Sequence, residues 1–267
     1  MSDNAPSMSD ERVAWNKWNV VRGQAIDRNP ISREQAEVIV EWLRELRGRR
    51  LRILEVGCGS GWMTERLAEF GEVTGIDLAD EVLAEARLRS TDVRYIAGDF
   101  LTFDFGGEDF DVVVGMETMA HFEDQEAFLA RISDLLVPGG LVMIAAQNRP
   151  IMERNLQHIP AGGWYRRWVD HDELRAMVEN DFVLRDLRSI TPKFFSGPLH
   201  LLNSEKLEQL TGRIGLRPAL RRIKRWEEQR WMGWTLMCRA QKPLAVRGIG
   251  EFERVSGSAS HQSHVEG

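Results

Sequence analysis

Residues 51–62 constrain the fold more tightly than any other stretch of the chain. Ile53, Leu54 and Val56 form a nearly continuous apolar run, the pattern of a parallel strand covered on both faces. Gly57, Gly59 and Gly61 follow at alternate positions, and Trp62 opens a helical pattern. Glycines let a backbone turn sharply and approach a ligand where a Cβ would clash. The helix behind such a turn directs its unpaired N–H groups at the same ligand.

The rest of the chain repeats the unit. Apolar runs at 72–76, 93–97, 110–114, 141–146, 182–190 and 234–240 predict six further strands. Between them lie amphipathic patterns. Met63, Leu67 and Phe70 mark a helix that Gly71 is expected to end. Val82, Leu83 and Ala86 mark the next. A long stripe of Phe128, Leu129, Ile132, Leu135 and Leu136 starts at Asp124, with Pro138-Gly139-Gly140 as its expected stop. Asp170 and Glu173 have the spacing of a capping box. Upstream, Ala14, Trp15, Trp18 and Val21 predict a helix within 12–29, broken by Asn29-Pro30. Ser32 and Gln35 read as a capping box for a helix carrying Ile39, Trp42, Leu43 and Leu46.

Strands alternating with helices predict an α/β fold, a seven-stranded, mostly parallel Rossmann-like sheet with helices on both faces. The expected organisation is an N-terminal helical lid at 1–30, the main domain at 31–247 and a disordered tail at 248–267, rich in Ser, Gly, His and Glu. Helical cap insertions are expected at 149–168 and 191–233.

Composition excludes some functions. A formal net charge of −6 over 267 residues argues against a dedicated nucleic-acid binder. Cys58 sits inside the glycine turn and Cys238 is the only other cysteine, so a disulfide framework is not expected. The polar, acidic residues 1–11 lack the apolar core of a signal peptide, and no apolar run reaches membrane-spanning length. The expected setting is cytoplasmic, with no membrane partner and self-association left open.

Polar residues then cluster where such sheets bind ligands, at the carboxyl ends of the strands. Asp77 stands 20 residues after Gly57, placed to accept hydrogen bonds from a ribose diol. An NAD(P)-dependent oxidoreductase uses the same device. The turn here, however, is Gly-x-Gly-x-Gly followed by Trp62, not the Gly-x-Gly-x-x-Gly of a dinucleotide site.

Together, residues 55–61, Gly75-Ile76-Asp77-Leu78, Ala97-Gly98-Asp99-Phe100, residues 110–114 and residues 136–141 resemble the motifs of the class I S-adenosylmethionine-dependent methyltransferases, of the kind acting on small molecules. The resemblance implies that S-adenosylmethionine is bound by Glu55, Gly57, Gly59, Gly61, Asp77, Leu78, Asp99, Phe100 and Met116. Asp77 would bind the ribose hydroxyls, Asp99 the adenine amino group and Glu55 the cofactor's amino group. It also implies an antiparallel seventh strand between the fifth and sixth.

Within Met116-Glu117-Thr118-Met119-Ala120-His121, the resemblance puts a histidine facing the acceptor, so His121 is the candidate catalytic base. Shaping the pocket is its alternative role. Trp15, Trp18, Glu117, His121 and Trp164 are the candidate acceptor contacts. A basic stretch, with Arg213, Arg217, Arg221, Arg222, Lys224, Arg225 and Arg230, suits an anionic or carrier-tethered acceptor, or simply a solvated helix face or an oligomer contact. No paired metal ligands are evident after the fourth strand. The expected activity is methyl transfer to a hydroxyl, or an amine, of a small molecule, in specialised metabolism. The alternatives are an N-methyltransferase, an RNA methyltransferase, an oxidoreductase, or a non-catalytic protein of the same fold.

Overall fold

The computed structural model describes residues 7–22, 29–46, 48–158, 166–195, 200, 203, 207 and 217–244. The expected tail, Trp164 and Arg213 lie outside the described residues. Seven strands form one sheet: β1 (Leu51–Val56), β2 (Gly71–Asp77), β3 (Val93–Ala97), β4 (Phe110–Met116), β5 (Leu136–Gln147), β6 (Val183–Pro192) and β7 (Gly233–Gln241). Their order is β3-β2-β1-β4-β5-β7-β6. The first five run parallel, and β7 is antiparallel to both β5 and β6, as expected.

Strand periodicity divides the core between the two faces of the sheet. Leu54, Val56 and Val113 point to one cluster, completed by Phe128 and Ile132 of α5 (Gln125–Leu135) and by Leu174 and Val178 of α7 (His171–Asp181). Leu51, Ile53, Val112 and Val114 point to the other. That cluster holds Ile39, Trp42 and Leu43 of α2 (Pro30–Arg44), Met63 and Leu67 of α3 (Trp62–Leu67), and Leu83 of α4 (Asp80–Arg89). Both faces of β1 and β4 are thus dry, which explains their unbroken apolar character. The order reverses between β1 and β4, so the carboxyl ends of these strands flank the crevice where a ligand fits.

Several expected boundaries differ. Gly71 does not end α3 but starts β2, where an added Cβ would stand 1.9 Å from the Leu51 carbonyl oxygen. Helix α5 ends at Leu135, and Pro138-Gly139-Gly140 lies inside β5. There the pairing with β4 shifts between Phe110 and Val112, and Gly139 takes a φ of 80°. The three residues make a bulge rather than a helix stop. Asp170 and Glu173 do form a complete capping box on α7. Ser32 and Gln35 do not: Asn29 caps α2, its side chain accepting from Ile31 N at 3.0 Å, and Pro30 takes the first helical position. The N-terminal helix α1 spans Met8–Arg22, earlier than expected. Within the insertions lie α6 (Arg149–Arg154) and α8 (Arg217–Glu228). Among the described residues no helix is long and apolar enough to cross a membrane.

Candidate functional site

A cavity of about 330 Å³ opens at the carboxyl ends of β1, β2, β3 and β4, beneath α1. This is the lower end of the size range of small-molecule sites. Its floor is the glycine turn. Gly57 N and Cys58 N both donate to the Ile76 carbonyl, at 2.8 and 3.2 Å, which locks the turn to β2. Asp77 ties it from the other side: Oδ2 accepts from Gly59 N and Oδ1 from Ala79 N, each at 2.8 Å. Burial raises the Asp77 carboxyl, and backbone hydrogen bonds from Ala79, Gly59 and Leu78 pull it back down.

The glycines are required for two different reasons. Gly57 has a φ of 73°, and a Cβ there would stand 2.4 Å from Thr118 Oγ1. That hydroxyl bridges the carbonyls of Val56 and Met116, at 3.0 and 2.9 Å, clamping the ends of β1 and β4 together. Gly61 has a φ of 81° and faces the Tyr95 hydroxyl. It shapes the turn from behind and does not line the cavity.

Glu55 lies on the cavity wall at the end of β1. Thr64 Oγ1 donates to its Oε2. Burial, assisted by the nearby Asp77 charge, pushes its carboxyl up to about 8, against the pull of Thr64. A carboxyl whose folded-state value lies above its unfolded value near 4.5 favours folding at low pH and loses that contribution as pH rises through about 8. The unliganded protein is therefore expected to lose stability between about pH 4.5 and 8, and Glu55→Gln to flatten that slope; thermal melts across this range check it. If the slope is unchanged in the variant, Glu55 does not hold its proton at neutral pH.

Other expected residues take up places around the same cavity. Leu78, Asp99, Phe100 and Met116 all line it. The Asp99 carboxylate also accepts from Leu101 N at 3.1 Å and Thr102 Oγ1 at 2.9 Å, capping the turn after β3. Phe100 is mostly core, packed edge-on against Phe122 and Phe128.

Helix α1 closes the top. Trp15 and Trp18 line the cavity, and the Trp15 ring meets His121 edge-on with centroids 4.6 Å apart. Asn16 pins the helix to α4, donating to Asp80 Oδ1 at 2.8 Å and accepting from Glu81 N at 3.2 Å. Glu117 follows β4 with a φ of 57° and points into the cavity. Gln35 Nε2 donates to its Oε1 at 2.5 Å, and Thr235 Oγ1 lies 3.4 Å from the same oxygen. Arg221, Arg222 and Arg225, by contrast, are exposed on α8 and do not line the cavity.

Sequence reasoning missed Gln35, Asn19, Glu11 and Thr118, which also line the cavity. Gln35 carried a usable signal. It falls on the apolar stripe of α2, between Ile31 and Ile39, and a polar residue on a buried face needs a partner. Glu11 comes from α1; burial and the neighbouring Asp99 raise its carboxyl.

A glycine turn between the first strand and helix, an acidic residue at the end of the second strand and a crevice at the order reversal define a nucleoside-cofactor site on a Rossmann-like sheet. Comparison with known proteins narrows this. A family model described as a methyltransferase domain matches residues 53–140. A ubiquinone biosynthesis O-methyltransferase of Dinoroseobacter shibae is 32% identical over 164 residues, covering 54% of this chain and 65% of that protein. Its namesake in Chelativorans sp. is 28% identical over 207 residues, 73% of each chain. The match to the Dinoroseobacter protein thus spans just under two thirds of that relative's length. The N-methyltransferase NodS of Bradyrhizobium japonicum, solved with S-adenosyl-L-homocysteine, shares the fold at a TM-score of 0.55 and 18% identity, covering 82% of this chain and 90% of that one. Residues 53–140 are thus similar to a methyltransferase domain, and the sheet shares the fold of a methyltransferase solved with S-adenosyl-L-homocysteine, the demethylated form of S-adenosylmethionine.

The cavity suits that cofactor. The S-adenosylmethionine molecule carries an ammonium, a sulfonium and a ribose diol. The wall offers the carboxyl groups of Glu55, Asp77, Asp99 and Glu117, and among the described lining residues none is Lys or Arg.

Proposed function

We propose that the protein transfers a methyl group from S-adenosylmethionine to a hydroxyl, or an amine, of a small-molecule acceptor. The observation that carries this is the sharing of one cavity. Glu117 and His121, which follow β4, open onto the same space as the glycine turn and Asp77. When bound, the cofactor supplies an electrophilic methyl on sulfur. The protein's task is to hold the acceptor in line with it, exclude water and remove a proton.

In this reading Gly57, Gly59, Asp77 and Leu78 seat the adenosine, with Asp99, Phe100 and Met116 around it. Glu55 meets the ammonium group. Trp15 and Trp18 of α1 cover the acceptor, whose proton leaves toward His121 or Glu117. The acidic wall favours a neutral or cationic acceptor over an anionic one. The names of the curated relatives support O-methylation of a small molecule, whereas a role in specialised metabolism draws no support from them.

The test is incubation with S-adenosylmethionine and a panel of catechols, phenols and amines, read by mass spectrometry. Gain of one methyl on a hydroxyl-bearing member is the expected result. No product across the panel, in a preparation that binds S-adenosylhomocysteine, would overturn the small-molecule reading.

A further inference from the structure

Glu117 is held by three segments far apart in the sequence. It follows β4 in left-handed backbone, φ 57°, a conformation that costs a non-glycine residue about 1–3 kcal/mol and persists only where its surroundings enforce it. Its own N–H donates to Ala145 O of β5 at 2.8 Å, which fixes the turn. From α2, the buried Gln35 sends its Nε2 to Glu117 Oε1 at 2.5 Å and to Thr235 Oγ1 of β7 at 2.7 Å. One amide group therefore joins the carboxylate to β7, the strand inserted between β5 and β6.

His121 is placed differently. Its backbone N–H donates to Thr118 O, and its ring packs edge-on against Trp15. It acts as the seat for α1. The other titratable groups on the cavity wall are Glu11 of α1, Glu55 of β1, Cys58 in the glycine turn, whose thiol burial raises, Asp77 after β2, Asp99 after β3 and Glu123 beyond the histidine. Of these, Asp77 and Asp99 already serve backbone N–H groups of the turns they cap.

We infer that Glu117 is the group that takes the acceptor's proton, and that Gln35 and Thr235 are positioning residues that aim it. This rests on the methyl-transfer reading above. As the acceptor O–H bond breaks, its proton goes to a Glu117 carboxylate oxygen. The electron pair stays on the acceptor oxygen and forms the new bond to the methyl carbon as the methyl–sulfur bond breaks, its pair leaving on the sulfur, which departs uncharged in S-adenosylhomocysteine. Glu117 then gives the proton to water. Burial agrees with the assignment: it pushes the Glu117 carboxyl up to about 7, while hydrogen bonds from Gln35, Gln147 and Thr235 pull it down. A base poised there exchanges protons near neutrality.

The test uses the full chain labelled with ¹³C at the glutamate carboxyl carbons, saturated with S-adenosylhomocysteine. In parallel, kcat and KM for catechol methylation are measured against pH. The expected spectrum has glutamate carboxyls titrating near 7 from Glu117 and Glu228 and near 8 from Glu55, and Glu117→Gln removes one of the two near 7, which assigns it. Gln35→Ala removes a donor that favours the ionised form, so it moves that midpoint upward, and the acid limb of the kcat profile moves with it. Glu117→Gln lowers kcat by about 100-fold or more while KM for S-adenosylmethionine changes little. A Glu117 midpoint in the ordinary carboxylate range, or a kcat profile that stays put when Gln35→Ala shifts the midpoint, overturns the assignment. So does a Glu117→Gln enzyme within tenfold of the parent. Absence of catechol methylation by the unaltered protein, with S-adenosylhomocysteine still bound, is a different failure: it removes the methyl-transfer reading for hydroxyl acceptors and the Glu117 assignment with it.

Discussion

Asp77→Ala is expected to weaken S-adenosylhomocysteine binding by about 100-fold or more. Two effects add. A carboxylate hydrogen bond to a ligand is worth about 1.5–3 kcal/mol, and a ribose diol offers two donors. The same side chain also accepts from Gly59 N and Ala79 N, so its removal leaves two backbone donors without their partner in the floor of the site. Each such orphan costs about 1–3 kcal/mol. The variant should therefore melt lower even without ligand, and Asp77→Asn should keep part of the turn while losing most of the affinity. Calorimetric titration beside a thermal melt separates the two losses. Unchanged affinity in Asp77→Ala would remove the ribose role.

Gly57→Ala is the second large effect. The new Cβ would stand 2.4 Å from Thr118 Oγ1 and 2.7 Å from its Cγ2, in a backbone of φ 73°. Thr118 has little room to yield, because its hydroxyl bridges the carbonyls at the ends of β1 and β4. Strain of about 2–4 kcal/mol is expected, part from the collision and about 1–2 kcal/mol from the left-handed backbone. The two parts can be told apart. Thr118→Ala combined with Gly57→Ala should recover the collision part and leave the backbone part, so the two substitutions couple in a double-mutant cycle on melting temperature. Simple additivity would show that the threonine does not set the need for glycine.

The strands of this protein are legible because burial on both faces leaves an unambiguous signature. The run Phe110–Met116 is buried along nearly its whole length, and no helix reading of it competes. Turns are harder to read. Gly71 and Pro138-Gly139-Gly140 look like helix stops, yet both belong to strands. A glycine is also demanded where a neighbouring backbone leaves no space for a Cβ, and that neighbour is remote in sequence. Ser32 and Gln35 mislead for a related reason. Their spacing imitates a local cap, while Asn29 already supplies it and Gln35 reaches Glu117, 82 residues away.

The same division runs through the site. Glu55, Gly57, Gly59, Asp77, Asp99 and Glu117 can be picked from the sequence because each stands where a strand ends, and strand ends converge in a parallel sheet. The residues from α1 and α2 cannot be placed this way. How a helix packs across the mouth of a crevice depends on tertiary contacts such as Asn16 with Asp80 and Trp15 with His121. The arginines of α8 show the converse: a charge run conspicuous in sequence lies exposed, away from the cavity wall.

Calorimetric titration of the intact chain with S-adenosylhomocysteine, and separately with NADH, tests the cofactor assignment most directly. The expected result is saturable one-to-one binding of S-adenosylhomocysteine that Asp77→Ala abolishes or weakens at least 100-fold, with no heat from NADH. Saturable binding of NADH with none of S-adenosylhomocysteine would contradict it.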